Sequence, residues 1–110
     1  MRHTHSRIYH RALELAALVH TVTEQLPRGY GFLADQLRRA AASVALNFAE
    51  GSGKRSRADR QRYLLTAKGS AYEVAAGLDV ARAFGAIAPE LHAEGLDRCD
   101  HLGGMLSRYR

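Results

Sequence analysis

A chain of 110 residues has the length of one domain, and at that size roughly two-thirds of the surface exposed by the unfolded chain is buried on folding. With 46% apolar and 25% charged residues it has the make-up of a folded globular chain, not of a disordered one. A single cysteine, Cys99, excludes an internal disulfide, and the start MRHTHSRIYH lacks the apolar run of a secretory signal. Every apolar segment is broken by Arg, Glu, Asp or His before it reaches the ~20 residues of a membrane span, so the expectation is a soluble cytoplasmic protein with no membrane partner. The net charge of +5 is uneven: residues 54–68 carry six Lys/Arg against one acid, whereas residues 69–110 carry four Arg against six acids. A local positive stretch is a pointer to a polyanionic partner.

Ile8, Ala12, Leu15, Val19, Val22 and Leu26 recur in steps of four and three, the period of one helical face. A first helix is predicted over 6–26, with Ser6 as N-cap and Pro27, Gly29 and Gly31 closing it. The second, 32–50, places Leu33, Leu37, Ala40, Ala41, Val44 and Phe48 on one side, and Gly51 and Gly53 are expected to end it as left-handed caps. Ser56 and Asp59 form a capping-box variant that opens a third helix over 57–84. Its seam, Tyr63, Ala67, Ser70, Val74, Gly77 and Ala81, is rich in small residues, and Gly69 and Gly77 in the helix interior imply a packing reason. Pro89 starts a fourth helix, 89–109, with Leu91, Cys99, Leu102, Leu106 and Tyr109 on one face, and Gly103 and Gly104 make its end prone to fray. No segment alternates with the period of a strand, and loops this short force neighbouring helices to run antiparallel. The expectation is all-α: a single antiparallel up-down-up-down four-helix bundle over 1–110.

Gln36, Arg39, Ser43, Asn47 and Glu50 form a polar stripe beside the apolar face of the second helix. It is either a solvated face with local pairs such as Arg39 with Ser43, or an interhelical seam or subunit interface in which Asn47 fixes register, with Ser70 and Glu73 supplying the facing groups. The second reading is preferred.

The run QLRRAAASVALNFAEGSGK, residues 36–54, followed by YLLTAKGSAYEVAAGLDVA, residues 63–81, resembles the bacterial four helix bundle protein family. That family includes proteins encoded by intervening sequences in large-subunit ribosomal RNA genes and is structurally similar to the accessory variability determinant of diversity-generating retroelements. The most specific part is Asn47, Phe48, Ala49, Glu50 and Gly51 joined to Ala67, Gly69, Ser70 and Glu73. Tyr9 stands where the family usually has Trp, and Arg28 to Phe32 depart from its usual loop. The resemblance implies a four-helix protomer assembled into a ring-shaped homopentamer, with nucleic acid or a nucleic-acid enzyme such as a reverse transcriptase as partner in some members.

Lys54, Arg55, Arg57, Arg60, Arg62 and Lys68 are the candidate phosphate contacts, aided by the helix N-terminus near Ser56, with a solvated face as the competing account. Few aromatics interleave with them, so base stacking has little support and sequence readout none. A nucleotide-binding P-loop at Gly51 to Lys54 fails, because Phe48 stands where its first Gly belongs, Arg55 replaces its Ser/Thr and no strand precedes. His3 and His5 fall at a terminus expected to be disordered, and His10 and His20 are too far apart on one helix to share an ion. Cys99 reads as a core thiol. No enzyme activity, metal or cofactor is expected. The sequence leads to a non-enzymatic, homo-oligomeric protein that contacts RNA or DNA backbones, and the alternative is an oligomeric scaffold that binds an acidic protein surface or an enzyme such as a reverse transcriptase.

Overall fold

The computed structural model describes residues 6–109, so His3 and His5 lie outside the described residues. Four helices, and no strand among the described residues, follow in order: α1 Arg7–Gln25, α2 Gly31–Ser52, α3 Arg57–Ala83 and α4 Pro89–Arg108. Each packs on two neighbours, α1 on α2 and α4, and α3 on α2 and α4, which closes a four-helix bundle of 44 × 21 × 20 Å. The short connections alternate the helix directions. The α2–α3 loop therefore shares one end of the bundle with the start of α1 and the finish of α4, and the Phe48 and Tyr109 rings meet edge to face there at 5.3 Å.

Local chemistry starts and stops the helices. Ser6 Oγ accepts the Ile8 N–H at 3.1 Å and Ser56 Oγ accepts the Asp59 N–H at 3.0 Å, each relieving a donor that the first turn cannot satisfy. Pro89 occupies the first turn of α4, where its missing N–H costs nothing. The finish of α3 is a Schellman turn: Gly85 adopts φ +72°, Gly85 N–H reaches Arg82 O at 2.9 Å and Ala86 N–H reaches Ala81 O at 2.8 Å.

The apolar stripes meet along the axis, with Leu15, Leu37, Phe48, Leu78 and Leu102 among the side chains fully withdrawn from water. Each such burial contributes about 1.5–3 kcal/mol. Close approach between helices depends on glycine. A Cβ on Gly77 would stand 2.6 Å from Leu37 Cδ2, and one on Gly95 would overlap Leu78 Cδ1.

Two expectations about glycine are corrected. Gly51 does not end the second helix, which continues to Ser52, and the C-cap Gly53 has φ −87°, not a left-handed value. Gly51 is there because α3 passes so near that a Cβ would fall 2.9 Å from Tyr63 Cβ and 3.4 Å from Arg60 O. Gly69, expected to pack, has nothing within 4 Å of where its Cβ would be. Gly69→Ala should accordingly stabilise the fold by about 0.5–1 kcal/mol through helix propensity alone, and Gly77→Ala should not. Thermal denaturation of the two variants checks this, and a destabilised Gly69→Ala protein would mean that another surface covers that position. Gly103 and Gly104 lie within the continuous α4 helix, Gly103 beneath the Tyr72 ring.

Candidate nucleic-acid interface

The polar stripe on α2 faces α3. Gln36 donates to the Glu73 carboxylate, and the Ser43 and Ser70 hydroxyls bond at 2.8 Å with Ser70 buried, so two contacts at different heights tie the helices together. Asn47 stays within its own helix: its Nδ2 donates to Ser43 O and Ser43 Oγ, both at 2.9 Å. The residue expected to set register across the seam therefore braces the serine that does. Glu50 pairs with Lys54 at 3.0 Å. Arg39 is exposed, and among the described residues it neither pairs with Ser43 nor has a carboxylate in ion-pair reach.

The six basic residues nominated as phosphate contacts divide by what already holds them. The hydrogen bond from Lys54 to Glu50, with that carboxylate's charge behind it, raises the lysine pKa above its ordinary value. Arg60 Nη1 donates to Lys54 O at 3.3 Å and Arg55 O at 2.6 Å, so Arg60 ties down the loop instead of facing outward alone. Arg62 pairs with Asp59 at 3.5 Å. Lys68 lies over the Tyr72 ring, 5.8 Å from its centroid, about three helical turns along α3 from the loop. Arg55 and Arg57 alone of the six are exposed with no ion pair, ring or hydrogen-bonding side-chain partner among the described residues.

Aromatic surface is closer to this patch than the spacing implied. Lys54 Nζ and the Arg62 guanidinium lie 5.4 and 5.2 Å from the centre of the half-buried Tyr63 ring, in cation–π range. The signal was present as Tyr63 beside Arg62, but its use depends on where the loop returns Lys54. The periodicity did not mark the large apolar side chains that the fold leaves exposed: Leu13 on α1, Phe32 and Leu46 on α2, Leu65, Tyr72 and Val80 on α3, and Phe84 just after it. Phe84 and Phe32 flank Tyr30, at 6.1 and 6.2 Å between ring centres.

Cys99 is buried, and burial pushes its thiol up to about 12, so it stays protonated and unreactive at neutral pH. Among the described residues no three His, Cys, Asp or Glu side chains gather as a metal set, and no helix is long and apolar enough to cross a membrane.

The fold is shared with a crystal structure of a protein of unknown function from the S23 ribosomal protein family of Bacteroides thetaiotaomicron, with a TM-score of 0.84 at 21% identity over 90% of this chain and 94% of that one. No curated protein matches. The family model described as 23S rRNA-intervening sequence protein matches residues 4–108. That span takes in all four helices and both signature runs, and the chain belongs to the 23S rRNA-intervening sequence protein family.

Proposed function

We propose that this chain is a non-enzymatic, homo-oligomeric accessory protein that holds RNA or DNA by its phosphate backbone at the end of the bundle carrying the α2–α3 loop. The observation that supports this reading most is the pair of unneutralised guanidiniums, Arg55 and Arg57, at the start of α3. The positive end of the helix dipole and its first-turn N–H groups reinforce them for an anion. At the opposite end Arg38 is matched by Glu24 and Asp35, while Arg28 and Arg39 are exposed without an ion pair among the described residues, so what sets the loop end apart is the density of its cations, six Lys/Arg against one acid over residues 54–68. Binding driven by counterion release is steep in salt and indifferent to sequence. Fluorescence anisotropy of RNA and duplex DNA against salt concentration tests it, and no binding to either at low ionic strength would overturn it.

A self-association surface is supported by the exposed apolar residues of the α2–α3 layer, since solvent-exposed clusters of that kind mark contact sites. Ser43 stands opposite Ser70 and Gly51 against Tyr63, so Leu46 and Leu65 fall at heights between those two contacts, both about two-thirds exposed at 68% and 65%. Closing this surface against further copies is consistent with the ring of five that the family resemblance implies, and it would set five basic ends side by side. Leu46→Glu combined with Leu65→Glu should turn the oligomer into a folded monomer, read by sedimentation equilibrium and circular dichroism. A wild-type monomer at all concentrations would remove the assembly. In the scaffold alternative, the same basic end meets an acidic protein surface or an enzyme such as a reverse transcriptase.

A further inference from the structure

Along the outer groove between α1 and α4 the charges are matched for most of its length. Arg11 meets Glu14 at 2.8 Å, and Arg98 meets Glu14 at 3.4 Å and Glu94 at 3.2 Å. The hydrogen bond from Arg11, with the charges of Arg11 and Arg98, holds the Glu14 carboxyl below its ordinary range. The pattern then stops. Where the first turn of α1 meets the last turns of α4, a cleft of about 300 Å³ is lined by Arg7, Ile8, His101, Met105, Arg108 and Tyr109. Arg7 and Arg108 are both exposed, and among the described residues neither has a carboxylate in ion-pair reach. Two guanidiniums thus border one cleft with no ion-pair partner among the described residues.

Arg108 sits in the last turn of α4, where the helix dipole welcomes a cation. Arg7 has no such reason: it occupies the first turn of α1, which contains no acid, and there the dipole favours an anion. A guanidinium at that point gains nothing from the helix dipole, and an anion between it and the helix end would be attracted by both. The cleft's other wall is apolar. Ile8 is 5% exposed, Met105 is half-buried, and the Tyr109 ring is held by its edge-to-face contact with Phe48. A negative group joined to a flat apolar one fits such a shallow, open site.

We propose that this cleft is a second phosphate site, holding one nucleotide unit of a nucleic-acid strand with its phosphate between Arg7 and Arg108 and its base against Met105 and Tyr109. The proposal rests on the nucleic-acid reading above and extends it from the α2–α3 loop across the end of the bundle. Both groups of arginines lie on that end, whose cross-section of 21 × 20 Å a single strand of a few nucleotides can cross. His101 is the only lining side chain with a ring nitrogen to offer a base edge, so the site holds a nucleotide with little preference among bases.

The test uses a fluorescein-labelled single-stranded 20-mer, as DNA and as RNA, titrated against wild-type protein across a salt series. Arg7→Gln with Arg108→Gln should weaken binding about fivefold at 0.1 M salt and make the slope of log affinity against log salt shallower by about 0.7, the value for one phosphate of a single strand, and Arg7→Lys with Arg108→Lys should restore most of it. Wild-type protein irradiated with an oligonucleotide containing 5-bromouracil should carry adducts on the peptides that hold Met105 or Tyr109, a readout that needs no substitution. If wild-type binds and Arg55→Ala with Arg57→Ala weakens it, but the Gln pair leaves affinity and slope unchanged and no adduct forms at those peptides, this site is refuted while the α2–α3 reading stands. If wild-type binds neither oligonucleotide, both are refuted, and the basic end is left to an acidic protein partner.

Discussion

Replacing Phe48 by alanine should cost about 3–5 kcal/mol of folding stability, the range found when a buried aromatic ring is deleted from a close-packed core. Phe48 is the largest side chain wholly withdrawn from water, and its ring also fixes Tyr109 at the finish of α4. The loss therefore has two parts: the apolar transfer of the ring, and the release of the last turn of α4 from the end of α2. Against a total stability of about 5–15 kcal/mol this is a large fraction, and for a chain of this size it lowers the melting midpoint by roughly 10–20 °C. Thermal denaturation followed by circular dichroism measures it. A fall of only a few degrees would mean that the basic end of the bundle is loosely packed, and that its arginines are not held by a rigid frame.

The helices were legible because burial imposes a period. Ile8 to Val22 and Leu33 to Phe48 recur at helical spacing and are all in the core, and Ser6, Ser56 and Pro89 sit where backbone donors need a substitute or tolerate a loss. Glycine was not legible in the same way. Gly51, Gly69 and Gly85 look alike in a sequence, yet one admits a neighbouring helix, one faces open space and one turns the chain left-handed; only the packing of α2 against α3 separates them. The family's specific run shows the same limit. Asn47, Ser43 and Ser70 could be placed on facing stripes, but which of them crosses the seam depends on a rotation of α2 about its axis that no local rule states. For charges the shortfall is one of partners: the count of six cations in residues 54–68 is correct, but Glu50, Asp59 and the loop carbonyls already occupy three of them.

That occupancy decides how much each substitution at the basic end should matter. Arg55→Ala with Arg57→Ala removes the two side chains that are free to meet phosphate, whereas Lys54→Ala with Arg62→Ala removes charges largely answered by Glu50 and Asp59. Each phosphate neutralised on duplex DNA contributes about 0.9 to the salt slope, so the first pair should flatten it by about 1.8. With 1 M salt as the reference at which counterion release ceases to help, that is a loss of about sixtyfold in affinity at 0.1 M. The second pair should lose distinctly less, because Lys54 and Arg62 would have to give up Glu50 and Asp59 to meet a phosphate, which offsets much of their attraction. Removing Lys54 and Arg62 also unmasks Tyr63, which keeps its face for a base. Stability should hold in the first variant, since neither arginine touches the core or caps a helix. Arg60→Ala belongs to a different class: it releases the carbonyls of Lys54 and Arg55, loosens the loop and should weaken binding through disorder, with the melting midpoint falling alongside affinity. Equal losses from the Arg55/Arg57 and Lys54/Arg62 pairs, with equal changes in slope, would mean that phosphates break the ion pairs on binding and that all these cations contribute alike.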